Sequence, residues 1–318
     1  LAATLQAQGF DLLYAHHDMF ETAPSLLRLS ALPSVYFCQE PSRDVFETPP
    51  VAEGDRPPRA GSYGHLLARA LLANPTGEAL RRYRRLNERL NTLAATVVLA
   101  NSSYSCESIL RAHGRVAQRC TLGVDVDFFT PGDAKQDYVL SVGAFHPLKG
   151  FRFLLRALSR LPATRRPPLI LAGDRAAPDE QRHLHHLADQ LGVALTTRLA
   201  VADSELRALY RGARLFLYAP YLEPLGLTPL EAMACGTPVL GVREGGVRET
   251  VVEGESGWLA DRDEDTFAGR LDEVLRAPAE LARRGQQASQ YVRTRWTWER
   301  SVAELLAAFD RARGEPGA

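Results

Sequence analysis

From Tyr138 onward, short apolar runs alternate with amphipathic stretches: Tyr138 to Val142, Leu169 to Ala172, Ala194 to Arg198, Leu215 to Tyr218, Pro238 to Val242 and Gly257 to Ala260. Runs this short read as strands, and the helical period fills Phe151 to Leu161, Pro178 to Leu191, Asp203 to Gly212 and Asp263 to Leu275. The alternation predicts a doubly wound α/β sheet. Before residue 131 the same signal is weaker, with strands expected at Asp11 to Ala15, Val35 to Cys38 and Val97 to Ala100 and helices at Glu78 to Leu93 and Ser102 to His113. The Pro- and Gly-rich segment Glu40 to Gly64 predicts a long loop. Phe128 to Gln136 predicts the linker, which divides the chain into a first domain over 1–130 and a second over 131–295. Residues 296–318 are expected to pack back on the first domain through a helix, Trp296 to Arg313, with Val302, Leu305, Leu306 and Phe309 on its apolar face.

The segment Pro220 to Val239 reads P-Y-L-E-P-L-G-L-T-P-L-E-A-M-A-C-G-T-P-V. Glu223 and Glu231 stand eight positions apart around Gly226, and a helical run, Leu227 to Cys235, ends at Gly236 and Pro238. A helix that begins at the carboxyl end of a parallel strand points unpaired N–H groups outward, and a glycine at its mouth lets a ligand approach the main chain. Such a site suits phosphate. Glu231, about one turn into the helix, can accept hydrogen bonds from hydroxyls, so the two features together fit a diphosphate and a ribose.

Charge balance narrows the partners. The 318 residues carry Lys+Arg 38 against Asp+Glu 38, which leaves no global field for nucleic acid or an anionic membrane. Cys38, Cys106, Cys120 and Cys235 form no C-x-x-C pair, so neither a zinc site nor a disulfide framework is expected, and a cytoplasmic setting is the simplest. No apolar stretch reaches the ~18 residues of a membrane span. The chain reads as soluble, or peripheral on the inner membrane face. Only two lysines, Lys135 and Lys149, stand against thirty-six arginines. A lysine inside the glycine motif S-V-G-A-F-H-P-L-K-G is therefore read as required for its compact ammonium.

Six motifs occur in order: D-L-L-Y-A-H-H, V-V-L-A-N-S-S-Y, G-V-D-V-D-F-F-T-P, V-G-A-F-H-P-L-K-G, E-P-L-G-L-T-P-L-E-A-M-A-C-G-T-P-V and G-G-V-R-E-T-V. With them the chain resembles the retaining GT-B glycosyltransferases of family GT4, from about Asp11 to the C-terminus. The resemblance implies two Rossmann-like doubly wound domains facing a cleft. It also implies sugar transfer with retention, from a UDP- or GDP-linked donor to an acceptor hydroxyl on a sugar, lipid or small molecule. Glu231 resembles the glutamate that binds the ribose hydroxyls, and Glu223 the one that faces the donor sugar. The backbone of Leu225, Gly226 and Leu227 matches the cradle of the distal phosphate. Lys149 matches the lysine that neutralises the diphosphate, with Gly143 in the same motif, and Gly245-Gly246 resembles a second glycine loop near the donor. His16 and His17 join Glu223 and Lys149 as catalytic candidates, since one of the two histidines resembles a residue that contacts the transferred sugar. A fixed ammonium and helix N–H groups would serve where a metal serves elsewhere, so neither cofactor nor metal is expected.

Two departures from the family pattern stand out. Ala144 occupies a position where relatives place an arginine, a loss of about 1 to 3 kcal/mol in leaving-group stabilisation unless Arg175 or Arg243 substitutes. The chain also starts a few residues before D-L-L-Y-A-H-H, so the first domain is expected to be incomplete. An open sheet edge would then favour self-association or mobility.

Rival readings attach to several features. A glycosidase carboxylate pair fits poorly, because eight helical residues rise about 12 Å against the ~9.5 Å upper spacing of such pairs. Asp125-Val126-Asp127 imitates a metal motif but sits in the segment that resembles the interdomain connection. His183, His185 and His186 lie on a charged helix without further ligand spacing. The run Arg81 to Arg85, with Arg89, reads either as solvated surface or as a peripheral contact with anionic lipid. As an alternative function, the polypeptide is a fragment that binds nucleotide sugar and transfers weakly or mainly hydrolyses it.

Overall fold

A computed structural model describes residues 2–17, 21–47, 75–132, 134–177 and 179–314. The chain divides into two compact units, one running to Leu122 and resuming at Glu299, the other spanning Gly123–Trp298. The boundaries differ from the expected 130/131 and 295/296 because the intervening residues pack into the second unit. Val124 N donates to Trp296 O at 2.9 Å, the Phe129 ring packs against Tyr210 at 5.9 Å, and the Arg207 guanidinium lies 4.5 Å from the Phe128 ring centre.

In the first unit the strands β1 (Leu13–His16), β2 (Ser34–Phe37), β3 (Val97–Ala100) and β4 (Gln118–Arg119) form a parallel sheet in that order. Among the described residues its helices are α1 (Ala2–Ala7), α2 (Leu26–Leu29), α3 (Arg43–Phe46), α4 (Pro75–Ala94) and α5 (Ser103–His113). Alternation along β2 and β3 sends side chains to both faces. Tyr36, Cys38, Val98 and Ala100 pack with Leu27 and Ile109 on one face. Val35, Phe37, Val97 and Leu99 pack on the other against Ala308 and Ala312 of the returning helix Trp298–Arg313. That helix is stitched down where Glu304 accepts from Thr121 N at 2.7 Å.

Several expectations change here. The inward face of the returning helix is built from Ala308 and Ala312 with Leu305 and Phe309 partly buried, whereas Val302 and Leu306 are 49% and 53% exposed. Trp296, expected in this helix, instead ends the preceding one. Within the expected loop Glu40 to Gly64, Arg43–Phe46 is helical, and residues 48–64 lie outside those described. In α4 the basic run is partly neutralised: Arg81 and Arg82 pair with Glu78 and Arg84 with Asp44. Its buried positions include Glu88, Asn91 and Thr92, while Leu80, Tyr83 and Leu86 are exposed.

The second unit carries β5 (Val139–Val142), β6 (Leu169–Gly173), β7 (Leu195–Leu199), β8 (Leu215–Tyr218), β9 (Val239–Val242) and β10 (Gly257–Ala260). Between them run α6 (Phe151–Ser159), α7 (Glu180–Leu191), α8 (Asp203–Gly212), α9 (Leu227–Ala234) and α10 (Val247–Thr250), and after them α11 (Glu264–Leu275) and α12 (Pro278–Arg295). All pairings are parallel and the spatial order is β10-β9-β8-β5-β6-β7. The chain winds outward from β5 through β7, then returns to the other side of β5 and winds through β10. The predicted Pro178 start of α7 lies outside the described residues. Helix α12 escaped the periodicity because Arg284, Gly285, Ala288 and Ser289 fill buried positions along it.

The buried His113 yields a pH prediction. Burial, with Arg89 nearby, pushes its imidazole down to about 4. In the unfolded chain a histidine titrates near 6.5. Between those values the unfolded state binds a proton that the folded state refuses, so stability is greatest above the window and falls as pH drops through it, by up to about 3 kcal/mol. Glu88, its carboxyl raised by burial, acts in the opposite sense, losing stability as pH rises past its folded value. Urea unfolding followed by circular dichroism is expected to show the acid loss in the wild type and a flatter profile in His113→Leu. An equal acid loss in both would remove this assignment.

Candidate functional site

Winding direction reverses between β5 and β8, so the loops that leave their carboxyl ends part and leave a crevice, the place where open α/β sheets bind ligands. The loop after β5 runs into a turn, Pro147–Lys149, begun by His146, whose Nδ1 accepts from Leu148 N at 3.2 Å. A ring nitrogen can accept only when unprotonated, and burial holds the His146 imidazole below its usual value; Glu180 opposes that shift and Lys149 reinforces it. Tyr221 N donates to Leu148 O at 2.8 Å, which ties this turn to the loop after β8. Across the tie, Lys149 Nζ donates to Glu223 Oε2 at 2.9 Å.

The Glu223 loop is held from behind by Arg262, a residue that no sequence motif singled out. Its guanidinium donates to Ala219 O at 3.0 Å and Pro220 O at 2.6 Å. It also grips both oxygens of Glu244 at 2.8 Å and lies 3.9 Å from the Tyr221 ring centre. One planar cation thus fastens the loop after β8 to the loop after β9. Leu222 adopts φ 47°, a left-handed conformation that disfavours a side chain by about 1 to 2 kcal/mol. The flanking hydrogen bonds hold it there, and it sets the direction of the chain at Glu223. Gly246 N donates to Glu223 O at 2.7 Å, and a Cβ on Gly246 would run into the Pro224 carbonyl. The Gly245-Gly246 pair is therefore needed for close approach of two backbones.

At Gly226 the backbone has φ 90° and opens α9 without a capping side chain, so the first N–H groups remain directed at the crevice. Leu225 is buried beside it and Leu227 exposed. One turn on, Glu231 Oε2 accepts from the Tyr210 hydroxyl at 2.8 Å. Burial raises the Glu231 carboxyl above its usual value, and the Tyr210 bond works against that rise. Tyr210, fully buried on α8, is a second positioning group absent from the sequence reading. Gly143 joins the cluster: its N donates to Ala172 O, and the Lys149 side chain passes 3.4 Å from where its Cβ would stand.

The other candidates make contacts of their own. Arg243 is committed to Glu253 and Asp261 at 3.7 and 3.6 Å, and Arg175, 83% exposed, pairs with Asp174. Arg175 meets the loop that carries Ala144 only through its main chain, where its carbonyl accepts from Phe145 N at 2.7 Å, so neither guanidinium is shown taking the place of the arginine. His16 and His17 are exposed at the end of β1 in the first unit. The His16 ring meets Tyr14 edge-on at 4.6 Å, and burial, then His17, lowers its basicity. Asp125 Oδ1 accepts from Asp127 N and Phe128 N, closing a turn. His185 bonds Thr197 and His186 bonds Gln190. Among the described residues no group of three or more His, Cys, Asp or Glu is placed to hold a metal ion, and no helix is long and apolar enough to cross a membrane. The second lysine, Lys135, donates to Arg211 O and Thr237 Oγ1, and burial lowers it to about 8.

A 3-2-1-4-5-6 parallel sheet with a crevice at its switch point, lined by a lysine, two glutamates and two glycine loops, defines a doubly wound Rossmann unit. The sequence profile described as glycosyl transferases group 1 matches residues 126–291, and the chain belongs to that family. It is 34% identical over 245 residues to D-inositol 3-phosphate glycosyltransferase 2 of Catenulispora acidiphila, covering 69% of this chain and 57% of the relative. It is 35% identical over 209 residues to D-inositol 3-phosphate glycosyltransferase of Mycolicibacterium paratuberculosis, covering 60% and 46%. The chain thus spans about half the length of the curated relatives it matches. Among solved structures, it resembles sucrose-phosphate synthase from Thermosynechococcus elongatus (TM-score 0.72, 20% identity, 97% of this chain and 75% of that one). It also resembles Anabaena HepE in complex with UDP-glucose (TM-score 0.68, 19% identity, 98% and 81%). These likenesses show the fold: GT-B, built from two Rossmann-like units.

The Arg262 contacts lead to a structural prediction. Arg262→Met leaves Glu244 and two carbonyls without their donor, at a cost of about 2 kcal/mol or more. Hydrogen exchange at residues 221–226 and 244–246 is expected to quicken together. Unchanged protection in either loop would show that Arg262 does not join them.

Proposed function

We propose that this chain is a retaining glycosyltransferase that moves a sugar from a nucleoside diphosphate sugar to an acceptor hydroxyl without a metal. The observation that carries the reading is the convergence of Lys149, Glu223 and the uncapped start of α9 at the β5/β8 switch point. The N–H groups of α9 cradle the distal phosphate and Lys149 offsets the charge that develops on the departing diphosphate. Glu231, steadied by Tyr210, takes the ribose hydroxyls. Glu223 faces the donor sugar, and His16 and His17 are the first unit's catalytic candidates. A UDP-linked donor is supported by the UDP-glucose named for the Anabaena protein. An inositol phosphate is the first acceptor to test, from the name of the relatives. Because the chain spans 57% and 46% of those relatives, a second reading stands beside it, in which the chain binds donor and transfers slowly or loses the sugar to water.

UDP-, GDP- and ADP-sugars, scored for released nucleotide with and without D-inositol 3-phosphate and with chelator present, separate the two readings. Acceptor-dependent release that survives chelation, with the product anomer matching the donor, is expected. Release that ignores acceptor supports the second reading. Glu231→Ala is expected to weaken donor binding by about tenfold or more, and Tyr210→Phe by less. Lys149→Ala is expected to lower turnover more than binding. Kinetics unchanged in all three would remove the site assignment.

A further inference from the structure

Lys149 and Glu223 meet at 2.9 Å with side chains 30% and 18% exposed, so the carboxylate lies where a phosphate oxygen bound by the same ammonium would come. Two anions on one ammonium, in a loop largely shielded from water, repel each other. The Glu223 main chain cannot retreat, because Gly246 N holds its carbonyl and Arg262 holds the carbonyls of Ala219 and Pro220 just before it. Only the side chain is free to turn.

We propose that Glu223 competes with the distal phosphate for Lys149, and that the hydroxyls of a donor sugar compensate the displaced carboxylate. The proposal rests on the nucleotide-sugar reading and adds a specificity role to it. A sugar-linked diphosphate brings hydroxyl donors for Glu223 and one charge fewer on its terminal phosphate. A free nucleoside diphosphate brings neither, so after transfer the carboxylate returns to Lys149 and expels the spent nucleotide. Glu223 thereby sets the ratio of donor affinity to product affinity, and the exchange needs a change of side-chain rotamer but no loop movement.

Calorimetric titration of UDP, GDP and their glucose conjugates into the wild type, Glu223→Gln, Lys149→Met and the double variant tests this. Glu223→Gln is expected to bind the free diphosphate about tenfold tighter, an effect the size of one charge-assisted hydrogen bond, and to bind the sugar conjugate no tighter. In the Lys149→Met background the same change is expected to have no effect. Glu223→Ser, run alongside, removes the charge with a smaller side chain and guards against misfolding of one variant. No gain in either Glu223 variant overturns the proposal, as does a gain that persists without Lys149, which would mean plain repulsion. If the wild type binds neither nucleotide nor conjugate, the nucleotide-sugar reading falls as well; binding by the wild type without a gain in the variants removes the competition alone.

Discussion

The reversal of winding between β5 and β8 is the constraint on which the candidate site depends. Two neighbouring parallel strands whose following helices lie on opposite faces must send their loops apart. What fills the gap is set by short-range contacts: the Tyr221 to Leu148 backbone bond, the Lys149–Glu223 ion pair and the bond from Gly246 to the Glu223 carbonyl. Two of these contacts are main-chain hydrogen bonds and the third is an ion pair, so the loops are held rigidly to one another even though none is part of the sheet.

That rigidity is purchased with local strain and buried charge. Leu222 sits in a backbone region that disfavours side chains, and Arg262 is drawn into a pocket of carbonyls and rings. Its guanidinium is planar and forked, which lets one group satisfy two carbonyls and a carboxylate at once, and a lysine could not. Tyr210 is placed with the same economy, its hydroxyl bonding one oxygen of Glu231 and so fixing the orientation of that carboxylate.

Much of this was legible in the sequence where burial is uniform. Strands β5, β8, β9 and β10 are buried along their whole length, so their apolar runs stand out and Leu215–Tyr218 and Gly257–Ala260 were placed to the residue. Helix α12 was not legible, since small and charged residues line its buried side, and the returning helix was rotated for the same reason. Glu223, Glu231 and Gly226 could be read as a site because their chemistry lies within one turn–helix segment. The partnership of Lys149 with Glu223 spans 74 positions and leaves no trace in spacing. Arg262 reaches two main-chain oxygens, which carry no sequence signal, and a carboxylate 18 positions away, which leaves none in spacing.

The scarcity of lysine has a practical consequence. Lys135 is engaged with a carbonyl at the end of α8 and with the Thr237 hydroxyl beyond α9 while facing solvent, and Lys149 is 30% exposed at the crevice. An acylating reagent selective for primary amines therefore meets two lysine side chains, and only the labelling rate of Lys149 reports on the crevice. Ligand protection of Lys149 can then be read by mass spectrometry with Lys135 as an internal reference.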